Sequence, residues 1–533
     1  MSLEIVARPT AGSQETMTPA GVLPLRVGAI DIGSNAIRLM AAEFRPSGER
    51  VELDYVREPV RLGADAFARR ELSDATLDRA VATLVGFRRR LDEIGVEHTR
   101  AVATSAARES RNGAELVRRA REQAGLRVEL ITGAEEARLI WLAVRERMQL
   151  GRRKWILMDL GGGSVEISLV TSSAIAWSVS HSVGTVRLLE ELGDRSASPA
   201  RFRRLLEEYV ATLQLELPRG RRRVRPAGVI ATGGNIEALV RLSDPASVGD
   251  GVVQLPLAEL RASIRTLSGL SVEERMRELD LREDRADVIL PAAVIYERIA
   301  AAYGAEVILV PQVGLKDGVL VDLVDDLLAH AQHASRHDQD VYAGALELGR
   351  RFDFDEAHAV HVAQLAASLY DQLAALHALP ARDRRILVAA ALLHDIGQFV
   401  SYRAHHKHAY YLISHSELPG FSPEQIGLVS LVARYHRKAE PKEEHEGYAE
   451  LNGDDRERVV KLAALLRVAD ALDREHVQRV REVKASIANG ELRLRIIAAG
   501  DQLLERWAID KKGKLLERTF GVTMRLEQEN GDD

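Results

Sequence analysis

Two aspartates each close a short apolar run beside a glycine turn: Asp31 in AIDIGSN and Asp159 in LMDLGGGS. Glycines tolerate positive φ and let main-chain N–H groups converge on an anion with no Cβ in the way. A carboxylate at such a turn can hold Mg2+, which prefers oxygen ligands, keeps several waters and is often bound together with substrate phosphates. A third glycine element, Thr232-Gly233-Gly234-Asn235, follows the apolar run Gly228–Ala231 and opens a helical pattern at Ile236–Val240. A strand followed by glycines and a helix N-terminus is a ready anion site. One such turn mostly just joins strands, but three in one chain point to phosphate chemistry. The candidate phosphate-binding residues are Gly33, Ser34, Asn35, Gly161, Gly162, Gly163, Ser164, Gly233, Gly234 and Asn235, and the candidate Mg2+ ligands are Asp31 and Asp159.

These turns need strands to carry them, and the sequence supplies the same arrangement twice. Arg26–Phe44 reads as strand, tight turn and strand, and Lys154–Val170 does the same. Aligning Asp31 with Asp159 pairs Gly33 with Gly161, Ile37 with Val165 and Leu39 with Ile167, which implies a duplicated α/β unit. Helical periodicity lies between and after the hairpins, over Leu72–Gly95, Gly113–Ala124, Ala134–Met148 and Pro199–Leu217. Glu135 and Glu136 stand side by side at the start of the third of these. Neighbours on a helix point about 100° apart, so one of the two at most can aim at a given water. Glu166, two residues beyond Ser164 on an alternating strand, projects from the same face as that serine.

The chain has 533 residues, 46% of them apolar and 29% charged, the balance of a soluble globular protein of three or four domains. It has no cysteine, which excludes a disulfide scaffold, thiol catalysis and thiolate metal sites. A formal charge of −6 provides no general grip on nucleic acid. Any polyanion must be held locally, and Pro218–Pro226 (PRGRRRVRP) is one candidate patch. The tail over 1–24 has no apolar core run and reads as mobile, and the apolar run Ile386–Leu393 is far short of a membrane span. A cytoplasmic enzyme with no membrane partner is the expectation.

His98 and His181 are the sole histidines before residue 330, and the remaining fourteen of the 16 fall between His330 and His476. The polar stretch His330–His337 reads as a linker. From about Asp340 to Arg481 the pattern is helical. After it, Val483–Ile487, Glu491–Ala498 and Thr519–Leu526 alternate as strands, the first two flanking the hairpin signal Asn489-Gly490. Within the helical part His358 shares a face with Val362, Leu365 and Leu369, and Asp470 shares one with Leu466 and Ala463. With His394-Asp395 at a helix end, these inward polar groups fit a metal site, which His408 and His436 could extend to a second ion.

The ordered motifs DIGSNAIRL, ATSAARES, GAEEARLIW, DLGGGSVEIS, ATGGNIEAL and GLKDG resemble those of the exopolyphosphatase / guanosine pentaphosphate phosphohydrolase family. The resemblance implies two lobes of the actin-like ATPase (ribonuclease H-like) fold facing each other across a phosphate-binding cleft, at residues 25–150 and 151–329. It implies Glu136 as catalytic base, Asp159 and Glu166 in metal binding and water activation, and Arg108 facing the phosphate chain. Inorganic polyphosphate or guanosine pentaphosphate would be the substrate, Mg2+ the cofactor and a homodimer the assembly. The order His358, His394-Asp395, Asp470 resembles the HD phosphohydrolase superfamily, implying an all-α HD-type domain over 340–482 with a possible second divalent metal, followed by a small β-containing segment over 483–533. An actin-like ATP-dependent kinase or a noncatalytic sensor of alarmones or polyphosphate are the competing classes. The first would need an adenine pocket and an acceptor site, and the second would lack a base.

Overall fold

The computed structural model describes residues 23–192, 199–213, 215, 226–243, 251–329, 336–437, 439–488, 490–498 and 503–529. Contacts divide the chain into two compact units, Met1–His337 and Asp338–Asp533. The N-terminal tail lies outside the described residues as far as residue 22, and so does most of the stretch read as a linker.

The first unit holds two sheets. In the first, β1 (Leu25–Ile32), β2 (Ile37–Phe44), β3 (Arg50–Glu58), β4 (His98–Ala103) and β5 (Val128–Leu130) run in the order β3-β2-β1-β4-β5. The β1–β2–β3 meander is antiparallel, and β4 and β5 add in parallel through helical crossovers. The second sheet is built from β6 (Trp155–Leu160), β7 (Val165–Val170), β8 (Ile175–His181), β9 (Val229–Thr232), β10 (Val253–Pro256) and β11 (Val307–Val310). Read from β8, its order β8-β7-β6-β9-β11 repeats the first, with β10 added antiparallel at the edge. The duplication is thus real, and both halves have the actin-like topology.

Two helices exchange partners between the lobes. Gly133–Arg147 leaves β5 of the first lobe and packs on β7 and β8 of the second, while Leu315–Ala329 leaves β11 and packs on β1, β2 and β4 of the first. The two helices also pack on each other so closely that a Cβ on Gly318 would stand 1.9 Å from the Leu139 carbonyl oxygen. One apolar core, including Val27, Val102, Trp141, Leu157, Ile230 and Leu320, therefore spans both lobes. A buried charge network locks the crossing. Arg138 holds Glu135 at 2.7 Å and Asp322 at 2.8 Å, and Arg100 on β4 also pairs with Asp322.

In the second unit five helices carry the inward polar groups: Glu356–Gln372, Asp383–Leu393, His405–Ser414, Pro423–Arg434 and Gly453–Ala471. A three-stranded sheet follows, β12 (Val480–Ala488), β13 (Glu491–Ala498) and β14 (Thr523–Glu529), in the order β12-β13-β14. β12 and β13 form the expected hairpin, turning at Gly490 with φ +77°. The stretch read as one strand over Thr519–Leu526 is instead split. A helix over Lys514–Phe520 ends at Gly521 in the left-handed region, and the strand begins at Thr523. Residues 340–482 and 483–533 do not form separate domains. Val480, Leu494, Ile509 and Leu516 share one core with Leu392, Val432 and Leu466.

Breaking a buried ion pair by removing one partner costs about 3–5 kcal/mol, because the remaining charge is left in a dry site. Arg138→Met, which removes the cation shared by Glu135 and Asp322, is expected to lower the unfolding transition of the first unit by that order. Arg118→Met, at a half-exposed pair with Glu115, should leave it in place. Thermal unfolding of the full chain, with the transition assigned by hydrogen exchange of the 133–147 helix, checks both.

Candidate active site

The duplicated hairpins carry different residues at one matched position, and the cleft is built on that difference. Across β1 and β2, Asp31 stands opposite Arg38; across β6 and β7, Asp159 stands opposite Glu166. Asp31 is consequently neutralised within its own lobe by Arg38, at 2.7 Å. Asp159 faces a second carboxylate instead. The two glycine turns close in the same way, Gly33 N–H donating to the Ala36 carbonyl at 3.1 Å and Gly161 N–H to that of Ser164 at 3.0 Å.

Glu136 completes the second group. Thr132 caps the Gly133–Arg147 helix by accepting from the Glu135 N–H at 3.1 Å. Adjacent positions on the first turn then send Glu135 into the Arg138–Asp322 network and Glu136 into the cleft. Glu136, Asp159 and Glu166 each offer an oxygen, and all three oxygens lie within 4.8 Å of one another. The three residues are buried, and Oε2 of both Glu136 and Glu166 has no hydrogen-bond partner. Two of the other oxygens are tied down: Ser180 donates to Glu166 Oε1 at 2.8 Å, and Thr232 to Asp159 Oδ1 at 2.6 Å.

Crowded carboxylates in a dry place hold protons strongly. Burial, and after it the neighbouring Glu166, push Glu136 well above the usual carboxylate range, with Arg108 opposing. Glu166 is pushed up to about 7 by burial and then by Asp159. Asp159 is pushed up to about 6, mainly by burial, against the hydrogen bond from Thr232. Orphaned oxygens in an all-oxygen donor set fit a hard divalent cation such as Mg2+. Asp31, also expected as a ligand, lines the cleft outside this tight group with its charge balanced by Arg38.

The cleft has a volume of about 460 Å3 and is lined by all three glycine turns, including Gly33, Ser34, Asn35, Gly161, Gly162, Ser164, Gly233, Gly234 and Asn235. The turns of the two lobes nearly touch, since a Cβ on Gly162 would stand 2.9 Å from the Ser34 Cβ. Two expected phosphate contacts lie elsewhere. Gly163 is not among the lining residues, and a Cβ there would meet Ser105 Oγ at 2.2 Å and Phe67 Cζ at 2.4 Å, so its small size serves packing. Arg108 does not line the cleft; its guanidinium donates to the Ile131 carbonyl at 2.5 Å and acts on Glu136 and Glu166 through its charge.

The cations that do line the cleft are Arg38, Arg57, Arg241, Arg282, Arg285 and Lys316. Sequence reasoning missed them as contacts. Arg38 was detectable as the residue aligned with Glu166, and Lys316 lies within the GLKDG motif. Arg57 and Arg285 had no local signal. Burial, with Arg57 and Arg38 crowding it, brings Arg285 down to about 10. Asn35 and Arg57 of the first lobe bond to Asp284 of the second, joining the lobes at the cleft rim. The basic patch at 218–226 lies outside the described residues except Pro226.

In the second unit the expected His358, His394, Asp395 and Asp470 do come together. His358 Nε2 lies 3.8 Å and His394 Nε2 4.0 Å from Asp470 Oδ1, and His394 Nε2 lies 3.8 Å from Asp395 Oδ1. The histidines that extend the group are His405 and His436. His408, one turn on from His405, is not among the groups that come together there.

Similarity to known proteins follows the same division of the chain. A solved exopolyphosphatase from Cytophaga hutchinsonii is 27% identical, covering 56% of this chain and 98% of its own, with a TM-score of 0.49. The Aquifex aeolicus member of the Ppx/GppA family is 25% identical, covering 58% of this chain and 99% of its own, with a TM-score of 0.48. Residues 343–513 match the family model for Ppx/GppA phosphatase, domain III. Residues 53–327, which hold most of the cleft, match the model of the Ppx/GppA phosphatase family, and the chain belongs to that family.

Proposed function

We propose that this chain is an Mg2+-dependent exopolyphosphatase that releases terminal orthophosphate from inorganic polyphosphate. The observation that carries the reading is a buried group of like-charged carboxylates at one place in a cleft otherwise lined by crowded cations. The carboxylates suit a metal and a base, and the cations suit a polyanionic tail. Crowded arginines repel one another at a cost that a bound anion removes, as the lowered Arg285 records.

The reaction consumes one water. Its oxygen bonds to the terminal phosphorus, the anhydride P–O bond breaks, and the shortened chain leaves as an anion. Glu136 takes the water's proton, its proton affinity raised by burial and then by the neighbouring Glu166. Asp159 and Glu166 would hold the cation, which when bound neutralises phosphoryl oxygens. The N–H groups of the glycine turns orient those oxygens, while Arg38, Arg57 and Arg285 balance the departing chain. Guanosine pentaphosphate is the second reading, favoured by Tyr55, the single aromatic residue among the described lining residues, which could stack on a base.

Glu136→Gln should lower phosphate release from long-chain polyphosphate by roughly 10²–10⁴-fold while leaving its binding intact, the size expected of a lost general base. Unchanged release would reject the mechanism. Phosphate release from polyphosphate, guanosine pentaphosphate and ATP, run in parallel on wild type and Tyr55→Ala, separates the substrates. Polyphosphate turnover insensitive to Tyr55 supports the proposal. A preference for the guanosine nucleotide, with a raised KM in Tyr55→Ala, favours the second reading.

The raised carboxylates also set a pH dependence. Their protonated forms favour the folded state fully below the ordinary carboxylate range, and that contribution is lost as pH rises through about 6 for Asp159 and about 7 for Glu166. The metal-free chain should therefore lose thermal stability between about pH 5 and about pH 8. Mg2+ should bind more tightly over the same interval and release protons as it does. Calorimetry of Mg2+ binding in two buffers of different ionisation enthalpy measures that release.

A further inference from the structure

The duplication that built the first unit continues across each sheet as a row of four residues. In the first lobe, register sets Val102, Asp31, Arg38 and Arg57 side by side on β4, β1, β2 and β3. In the second, the matching row on β9, β6, β7 and β8 is Thr232, Asp159, Glu166 and Ser180. Cross-strand neighbours project from one face, so the members of a row act on one another. The first row ends in an apolar side chain on one side and a second arginine on the other. The second row has a hydroxyl at each end and two carboxylates between them.

Both hydroxyls point at the carboxylates. Thr232 Oγ1 donates to Asp159 Oδ1 at 2.6 Å, and Ser180 Oγ to Glu166 Oε1 at 2.8 Å. The other oxygen of Glu166, Oε2, is buried with no hydrogen-bond partner. A donor on one oxygen fixes the rotation of a carboxylate and so decides which lone pairs remain for a cation. Hydrogen bonds behind metal-binding carboxylates commonly set metal affinity in this way. Neither Thr232 nor Ser180 is among the residues lining the cleft. Their influence on anything bound there passes through Asp159 and Glu166.

Thr232 is itself held from behind. Tyr296, fully buried on the helix Ile289–Ala302, donates its O–H to the Thr232 carbonyl at 2.8 Å. That carbonyl stands at the end of β9, beyond Ile230, the last residue paired with β11. The next residue, Gly233, turns the chain with φ +98°. A Cβ there would lie 3.5 Å from Asp159 Oδ1 and 3.5 Å from the Tyr296 hydroxyl oxygen, so the turn is enclosed between carboxylate and phenol. Threonine is stiff about χ1, and fixing its backbone therefore fixes the direction of its hydroxyl.

We propose, on the reading of Asp159 and Glu166 as Mg2+ ligands, that Thr232 and Ser180 are positioning residues for the cation of the cleft. Each orients one carboxylate, and Tyr296 acts on Asp159 through Thr232. The matched position in the first lobe, Val102, has no hydroxyl to give, and Asp31 beside it is neutralised by Arg38 instead.

Calorimetry of Mg2+ binding to the full chain, beside phosphate release from polyphosphate, tests this. Thr232→Val keeps the shape of the side chain and removes the donor, and Ser180→Ala removes the other. Each should weaken Mg2+ binding by about 10–100-fold, the range typical of residues behind metal ligands. Each should also lower kcat while leaving KM for polyphosphate in place at saturating Mg2+. Thr232→Ser, which keeps the hydroxyl, should bind Mg2+ as the wild type does. Tyr296→Phe keeps the ring in the core and should weaken Mg2+ binding by about tenfold. Combined with Thr232→Val it should add no further loss, because the two act along one chain of bonds. A purely structural role would lower the unfolding temperature and leave Mg2+ affinity unchanged below it. Where the wild type binds Mg2+, equally tight binding by Thr232→Val or Ser180→Ala overturns the proposal alone, as does a double variant whose losses multiply. A wild-type chain that binds no Mg2+ overturns the reading of the cleft together with it.

Discussion

The first unit is organised around like charges that cannot be left as they are. Asp159, Glu166 and Glu136 present oxygens within 4.8 Å of one another in a place with little water. Protons or a cation must neutralise such a group. The matching position of the other lobe shows the alternative solution, since Arg38 stands where Glu166 would be and holds Asp31 at 2.7 Å. Duplication produced two equivalent hairpins. A single difference in residue type made one a self-neutralised wall and the other an open site.

Holding that site together falls to elements far from it in sequence. Helices 133–147 and 315–329 each pack on the other lobe's sheet, so the lobes share one core in addition to the core each has of its own. The same crossing aims Glu136. Its neighbour Glu135 is clamped by Arg138, which is clamped in turn by Asp322, and the helix cannot rotate without exposing buried charge. Interlobe bonds from Asn35 and Arg57 to Asp284 join the lobes beside the cleft.

The second unit meets the same constraint with different atoms. Its acceptors are mostly imidazole nitrogens, each fixed by what its other ring nitrogen bonds to. Donor chemistry thereby distinguishes the two groups: carboxylate oxygens in the cleft, imidazole nitrogens mixed with carboxylate oxygens in the helical unit.

The sequence by itself determined the repeated hairpins, the three glycine turns, the pair Asp159 and Glu166, and the inward faces of His358 and Asp470. These depend on spacing over a few residues, and local geometry translates spacing directly into direction. It also limited the choice between Glu135 and Glu136 to one, through the 100° step of a helix. What it could not reach were the groups whose roles depend on distant partners. Arg57 and Arg285 become cleft residues only because the lobes meet there. Gly163 turned to packing because Ser105 fills the space beside it. His405 rather than His408 joined the second group, lying 3.1 Å from Asp395 across a loop. Tertiary structure decided these, since burial and charge neutralisation depend on what lies across a gap, and spacing along the chain does not record that.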